Sequence, residues 1–266
     1  MVSLEVRNLS FSYGATSVLK NINMKPLPGK ITAIIGPNAS GKTTLLKCIC
    51  GILKPIEGSV LFEGREISKI RKEELAKHIA YMPQENPAVA FLTVFETVLL
   101  GRLHSLSWRV SDEDLEMTLK TLESLGISEL SSRFLSELSA GQRQLVYIAQ
   151  AVVHQPRVLL LDEPTSNLDL QHQLEVLDLI KELTSEMRIT TIIALHDLNL
   201  AAKYSDEVIV LNFGRVYAAG KPESVLSEDM LRAVYGVSAK VNAHDGVLQI
   251  TILNSIRKRL AKKKCG

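Results

Sequence analysis

Apolar and polar residues alternate at Val2, Leu4 and Val6 and again at Val18, Ile22 and Met24, the period-two pattern of strands with one face in a core. Ser12-Tyr13-Gly14 separates the two runs and reads as the turn between them. The stretch Ile31-Thr32-Ala33-Ile34-Ile35 is different, being almost continuously apolar and bounded by Gly29 and Gly36. A helical pattern over 42–50 follows it, so it reads as a buried parallel strand feeding a helix. A hairpin at 59–62 turns at Glu63-Gly64, and an amphipathic stretch near 71–78 leads into a short strand at 79–82.

From 93 to 153 only helical spacing appears: Val94, Val98 and Leu99, then Leu115, Leu119 and Leu122, then Leu145, Ile148 and Ala149. This predicts an all-helical insertion, a subdomain of about 88–154. Beyond Pro156 strands and helices alternate: strands at 158–161, 190–195 and 208–211, helices at 170–187 and 198–204. The expected fold is α/β, a mostly parallel sheet with a β-rich N-terminal edge and an inserted helical subdomain. After Gly236 a hairpin pattern surrounds His244-Asp245-Gly246, and a basic run over 257–264 reads as a solvated tail.

With 266 residues the chain suits one α/β domain carrying an insertion. Its 31 Lys and Arg nearly balance 29 Asp and Glu, so no whole-protein field argues for nucleic acid as a partner. Cys48 and Cys50 lie two apart on one predicted helix, where they share no face, and Cys265 stands alone, which disfavours a metal site or a disulfide framework. No cationic apolar leader and no uncharged apolar run of the roughly 18 residues a membrane helix needs is present, so the chain is expected in the cytosol. Any membrane role is then peripheral.

Gly36-Pro37-Asn38-Ala39-Ser40-Gly41-Lys42-Thr43 is a complete G-x-x-x-x-G-K-T phosphate loop between predicted strand and helix, with Thr44 next to it. Its glycines let the backbone wrap a phosphate chain, so that N–H groups and the helix N-terminus point at anionic oxygens. Lys42 adds a point charge, and Thr43 is suited to hold Mg²⁺ against the outer phosphates. The fold is thus of the P-loop NTPase kind, ATP and Mg²⁺ are the expected ligands, and 1–236 reads as a nucleotide-binding domain followed by a hairpin and basic tail over 237–266.

Val158-Leu159-Leu160-Leu161 delivers two adjacent carboxylates, Asp162 and Glu163, at the C-terminal edge of a strand, where open α/β sheets bind ligands. Alone, this is an ordinary strand ending in solvated acids. Beside a phosphate loop, alternation separates their jobs: Asp162 for Mg²⁺, and Glu163 as the general base for the water that attacks the γ-phosphate.

Leu138-Ser139-Ala140-Gly141-Gln142 resembles the LSGGQ signature of ATP-binding-cassette ATPases, with Ala140 where the first glycine is usual. Other markers follow in family order. Tyr13 resembles the adenine-stacking aromatic, Gln84 the Q-loop glutamine that touches Mg²⁺ or water, Ser166-Asn167-Leu168-Asp169 the D-loop, and His196 the switch histidine. The likeness runs from Val2 to about Gly236. It implies that Ser139, Gly141, Gln142 and Asp169 serve a nucleotide held by a second copy arranged head to tail. Ser139 precedes a predicted helix, so its hydroxyl and the first free N–H groups also read as a helix-end anion site. His196 ends an apolar strand, where a ring nitrogen can reach the γ-phosphate. His78, His104, His154, His172 and His244 show no ligand spacing and read as ordinary surface or edge residues.

Two classes of cassette protein remain: the energy-coupling subunit of a transporter, or a soluble ATPase acting on DNA, ribosomes or cluster assembly. One cassette with a short insertion favours the transporter. The stretch Thr93-Val94-Phe95-Glu96-Thr97-Val98-Leu99-Leu100-Gly101-Arg102, with Val234-Tyr235-Gly236-Val237, is similar to ATPases of iron-siderophore, haem and cobalamin importers. That likeness implies a polytopic permease as partner, a substrate-binding protein in the system, and a position on the inner face of the cell membrane. The apolar stretch Ala88-Val89-Ala90-Phe91-Leu92, just past Gln84, is the expected contact with the permease.

Overall fold

The computed structural model describes residues 3–84, 91–102, 110–244 and 247–256. In chain order its elements are β1 (Leu4–Tyr13), β2 (Thr16–Met24), β3 (Ile31–Ile35), α1 (Lys42–Ile49), β4 (Glu57–Phe62), β5 (Arg65–Glu66), α2 (Lys72–Ala76) and β6 (Ile79–Met82). The helical stretch gives α3 (Val94–Leu100), α4 (Asp112–Ser124) and α5 (Ala140–Val152). Then come β7 (Val158–Asp162), α6 (Leu170–Glu186), β8 (Thr190–Ala194), α7 (Leu198–Tyr204), β9 (Glu207–Asn212) and β10 (Arg215–Gly220). The short α8 (Pro222–Val225) and α9 (Glu228–Met230) precede the hairpin β11 (Val237–His244) and β12 (Val247–Ser255).

The central sheet runs β10-β9-β3-β8-β7-β6, parallel throughout except for the antiparallel edge strand β10. Its inner strands β3, β7 and β8 are buried on both faces, as their largely apolar runs require. One face carries Ile34, Leu160, Ile192 and Leu211 and packs with Leu45 and Ile49 of α1. The other carries Ala33, Leu159, Leu161, Ile193 and Val210 and packs with residues of α5, α6 and α7. A second, antiparallel sheet, β2-β1-β4-β5, forms the β-rich edge, and Tyr13 closes β1 rather than lying in the turn.

The helical stretch departs from the sequence reading in two ways. Leu115 and Leu119 are 38% and 54% exposed, whereas α4 buries Asp114, Thr118 and Leu122. The buried stripe still has helical spacing, but Asp114 belongs to it because Arg102 and the Ser111 cap satisfy its carboxylate. Nor is the stretch helical throughout: 3₁₀ turns occupy Ser128–Leu130 and Leu135–Glu137, and Phe134 forms an antiparallel bridge with Thr93. Val94, Val98, Leu122, Leu135 and Val146 make a separate apolar cluster. Helix α5 serves two clusters, giving Val146 and Ala149 to this one and Ile148 and Val152 to the sheet.

The C-terminal hairpin is seated on α7. Asn199 accepts from the Ile250 backbone N–H at 2.7 Å and donates to its carbonyl at 3.2 Å, and Ala239 and Ile250 join the sheet's own core. Of the stretch expected to meet a permease, Ala88, Val89 and Ala90 lie outside the described residues, as does the basic run over 257–264; Phe91 is 87% exposed. No helix among the described residues is long and apolar enough to cross a membrane.

Candidate functional site

The phosphate loop leaves β3 and enters α1 through three unusual backbone positions: Gly36 at φ 153°, Ala39 at 60° and Gly41 at 107°. At Gly36 glycine is required for space as well, since an added Cβ would run into the Leu211 carbonyl of β9. Lys42 is buried, and its ammonium bends back to donate to the carbonyls of Gly36 at 3.0 Å and Pro37 at 3.3 Å. Burial lowers the Lys42 pKa, and the charges of Glu163 and Asp162 oppose that shift. The Ser40 hydroxyl is buried in the loop without a hydrogen-bond partner among the described residues.

Strand alternation sends Asp162 and Glu163 to different surroundings. Asp162, with Leu160, faces the α1 side of the sheet, where Thr43 Oγ1 donates to it at 3.1 Å and the Tyr81 hydroxyl at 3.3 Å. Its carboxylate is fully buried, and that burial raises its pKa against the pull of the two hydroxyls. Glu163 leaves the strand in the left-handed region at φ 54°. Its side chain then receives Gln84 Nε2 at 2.5 Å and Ser166 Oγ at 3.2 Å on one oxygen and meets His196 Nε2 on the other. His196, just beyond β8, has a half-exposed ring.

A cleft of about 740 Å³ opens over these groups, lined by Val18, Asn38 to Thr44, Gln84, Glu163, His196 and Phe213 among others. A cavity of similar size, about 800 Å³, lies elsewhere, near Gly29, Pro156, Arg157 and Arg188, and has no carboxylate in its lining. The donor set of the first cleft fits Mg²⁺. Thr43 and Asp162 present hard oxygens at hydrogen-bond distance from each other, with the Gln84 amide nearby. Among the described residues no group of three or more His, Cys, Asp or Glu could hold a metal without help, and Mg²⁺ is usually bound through one or two carboxylates together with substrate phosphates.

The remaining candidates do not join this cleft. Ser139 caps α5: its hydroxyl accepts from the Gln142 N–H at 3.2 Å, and Gln142 Oε1 accepts in return from the Ser139 N–H at 3.1 Å. Ala140 and Gly141 open the helix, and Ala140 is exposed. Asp169 caps α6, accepting from the His172 backbone at 2.9 Å. Tyr13 is about half exposed and meets Phe11 edge-on at 4.8 Å. The site of a single chain is therefore in two parts: a cleft with phosphate loop and carboxylates, and a separate face with two helix caps.

The family model described as ABC transporter matches residues 19–166, which hold the phosphate loop, the Ser139 helix start and both carboxylates. The chain belongs to the ABC transporter ATP-binding family. It is 42% identical to an ABC transporter ATP-binding protein of Methanocaldococcus jannaschii, over 93% of this chain and 96% of that one. It is 39% identical to the iron(3+)-hydroxamate import ATP-binding protein FhuC of Bacillus subtilis, over 91% and 90%. Among solved structures, an ABC transporter assigned to the metal-chelate type, in an inward-facing conformation, superimposes with a TM-score of 0.83 at 27% identity, covering 96% of this chain and 98% of that one. This ABC ATPase binds and hydrolyses ATP.

Two residues at its site, one beside a carboxylate and one on the cleft, escaped the sequence reading. Tyr81 pairs in register with Leu160, so it shares the face of Leu160 and Asp162, a relation visible only once β6 is known to lie beside β7. Phe213, 85% exposed at the rim of the cleft, follows a strand without any motif to mark it.

Proposed function

We propose that this ABC ATPase powers import of a chelated metal, of the iron-siderophore, haem or cobalamin kind, as a head-to-tail pair of identical copies beneath a polytopic permease. The hydrolytic part rests above all on Glu163, a buried carboxylate turned out of its strand toward the phosphate loop and held by Gln84, Ser166 and His196. Held this way, it can take the proton of a water poised against the terminal phosphate. The import part is supported by likeness to FhuC and to the metal-chelate transporter.

In this reading 1–236 is the nucleotide-binding domain, 88–154 its helical subdomain, and 237–266 an addition. Residues 36–43 and Thr44 wrap the phosphates with backbone N–H groups, and Lys42 exchanges its two carbonyl partners for phosphate oxygens. Mg²⁺, held by Thr43, Asp162 and Gln84, would neutralise charge across the outer phosphates. His196 orients the water with Glu163, Gln84 reports on the site, and Tyr13 stacks on adenine. Ser139, Gly141, Gln142 and Asp169 meet the nucleotide of the second copy. The pair is peripheral on the inner face of the membrane, with a substrate-binding protein delivering cargo.

Vesicles containing the co-purified membrane protein, with this chain on the cytosolic side, test the reading. ATP-dependent uptake of an iron(3+)-hydroxamate, abolished by Lys42→Ala, is the expected result. Isolation of the chain without any polytopic membrane protein, at full ATPase rate, would refute the importer assignment.

A further inference from the structure

Gly141 and Asp169 belong to different elements, the first turn of α5 and the cap of α6, and one side chain joins them. His172 Nδ1 lies 2.6 Å from Asp169 Oδ1, the same oxygen that accepts from the His172 backbone. A carboxylate can only accept, so Nδ1 carries the proton and donates. The ring then lies over Gly141, where an added Cβ would sit 2.8 Å from Cγ and 3.0 Å from Nε2. Gly141 does not have a positive φ, so its backbone conformation makes no demand for glycine. Glycine in a helix costs stability relative to alanine, and here it makes room for the imidazole.

We propose that His172 is a positioning residue that locks the first turn of α5 to the Asp169 cap, so that Ser139 and Asp169 meet the second copy as one rigid surface. The inference rests on the reading above, that this face serves the second copy's nucleotide. Without the ring, the two caps move independently and closure loses alignment. The chain's own phosphate-loop cleft shares no residue with this link, so its affinity for ATP is retained.

The test uses the full chain. His172→Ala is expected to lower kcat about tenfold, since small misalignments of a closed site are costly, with KM for ATP within about twofold and an unchanged thermal midpoint. His172→Asn, which keeps a donor near the Nδ1 position, should recover part of the loss. Gly141→Ala should reduce kcat several-fold less in the His172→Ala background than when His172 is present, because the partner of the collision is gone while any contact of Gly141 with the second copy's nucleotide is affected equally in both. Parental kcat in His172→Ala, or equal damage from Gly141→Ala in both backgrounds, overturns the proposal. If the alanine variant unfolds, His172→Phe, which keeps a ring over Gly141 and removes the donor to Asp169, is read in its place: reduced kcat with unchanged KM supports the proposal, and parental kcat refutes it. Ser139→Arg separates the two levels of the argument. If it leaves hydrolysis and ATP-dependent dimerisation intact, the shared-nucleotide reading fails. If it abolishes both while His172→Ala changes neither, only the role of His172 fails.

Discussion

Gln84 Nε2 donates to Glu163 Oε2 at 2.5 Å, so the segment leaving β6 is tied to the first carboxylate beyond β7. The bond gives the candidate base a fixed direction, and it disappears if the residue that follows the strand turns away. Glu163→Gln keeps the size of the side chain while removing its basicity. Single-turnover hydrolysis should slow by about 10² to 10⁴-fold, the usual worth of a positioned base. Equilibrium binding of ATP should persist. Hydrolysis within threefold of the parent would remove Glu163 from the role.

Lys42 separates nucleotide affinity from stability. Its pKa is lowered mainly by burial, meaning that the folded chain bears a cost for keeping it charged. A lysine with a lowered folded-state pKa binds protons less well folded than unfolded. Its penalty is therefore complete below the folded-state pKa and fades as pH rises toward the ordinary lysine value. Lys42→Met removes the charge and keeps an apolar stem, so the nucleotide-free protein should melt at or above the parental temperature. The rise in melting temperature on adding ATP should be lost. Calorimetry with and without nucleotide checks both signs, and a destabilised nucleotide-free variant would contradict the argument.

Sequence periodicity reached the central sheet because strands buried on both faces are largely apolar, and 31–35, 158–162 and 190–194 carry such runs with few polar breaks. It failed in α4, where the apolar stripe at Leu115 and Leu119 faces outward and a carboxylate lies inside. Periodicity counts hydrophobicity and cannot see that Arg102 and Ser111 satisfy Asp114. The phosphate loop and the Asp162-Glu163 pair were legible because local backbone and local chemistry coincide there. His172 was not, since its partner Gly141 is remote in sequence and the relation is one of volume.

The Arg102 and Asp114 pair gives a pH-dependent prediction. Bonds from the Ser111 hydroxyl, then from Arg102, hold the Asp114 pKa down at about 2. A carboxylate depressed on folding adds stability above its unfolded-state pKa, and that contribution is lost as pH falls toward about 2. Asp114→Asn should cost about 2 kcal/mol at neutral pH, because it leaves a largely buried guanidinium without its charge partner. Urea midpoints measured from neutral to acidic pH should show the difference between variant and parent shrinking at the acid end. A constant difference would mean that the pair's charge contributes nothing.

The two-part site predicts complementation between inactive chains. Lys42→Ala damages the cleft of one copy and leaves its Ser139 face intact; Ser139→Arg does the reverse, because a guanidinium at the α5 cap fills the space that closure needs. In a head-to-tail pair each nucleotide uses the cleft of one copy and the cap of the other. A mixed pair then has one site with both parts intact and one with both parts broken. Equal mixing makes half the pairs mixed, so recovered ATPase should approach about a quarter of the parental rate if the two sites act independently. The measurement needs the mixed pairs counted by two affinity tags, so that failure to exchange is not mistaken for failure to complement. Mixed pairs present in that proportion, with no more activity than either variant alone, would show that Ser139 does not act across the pair.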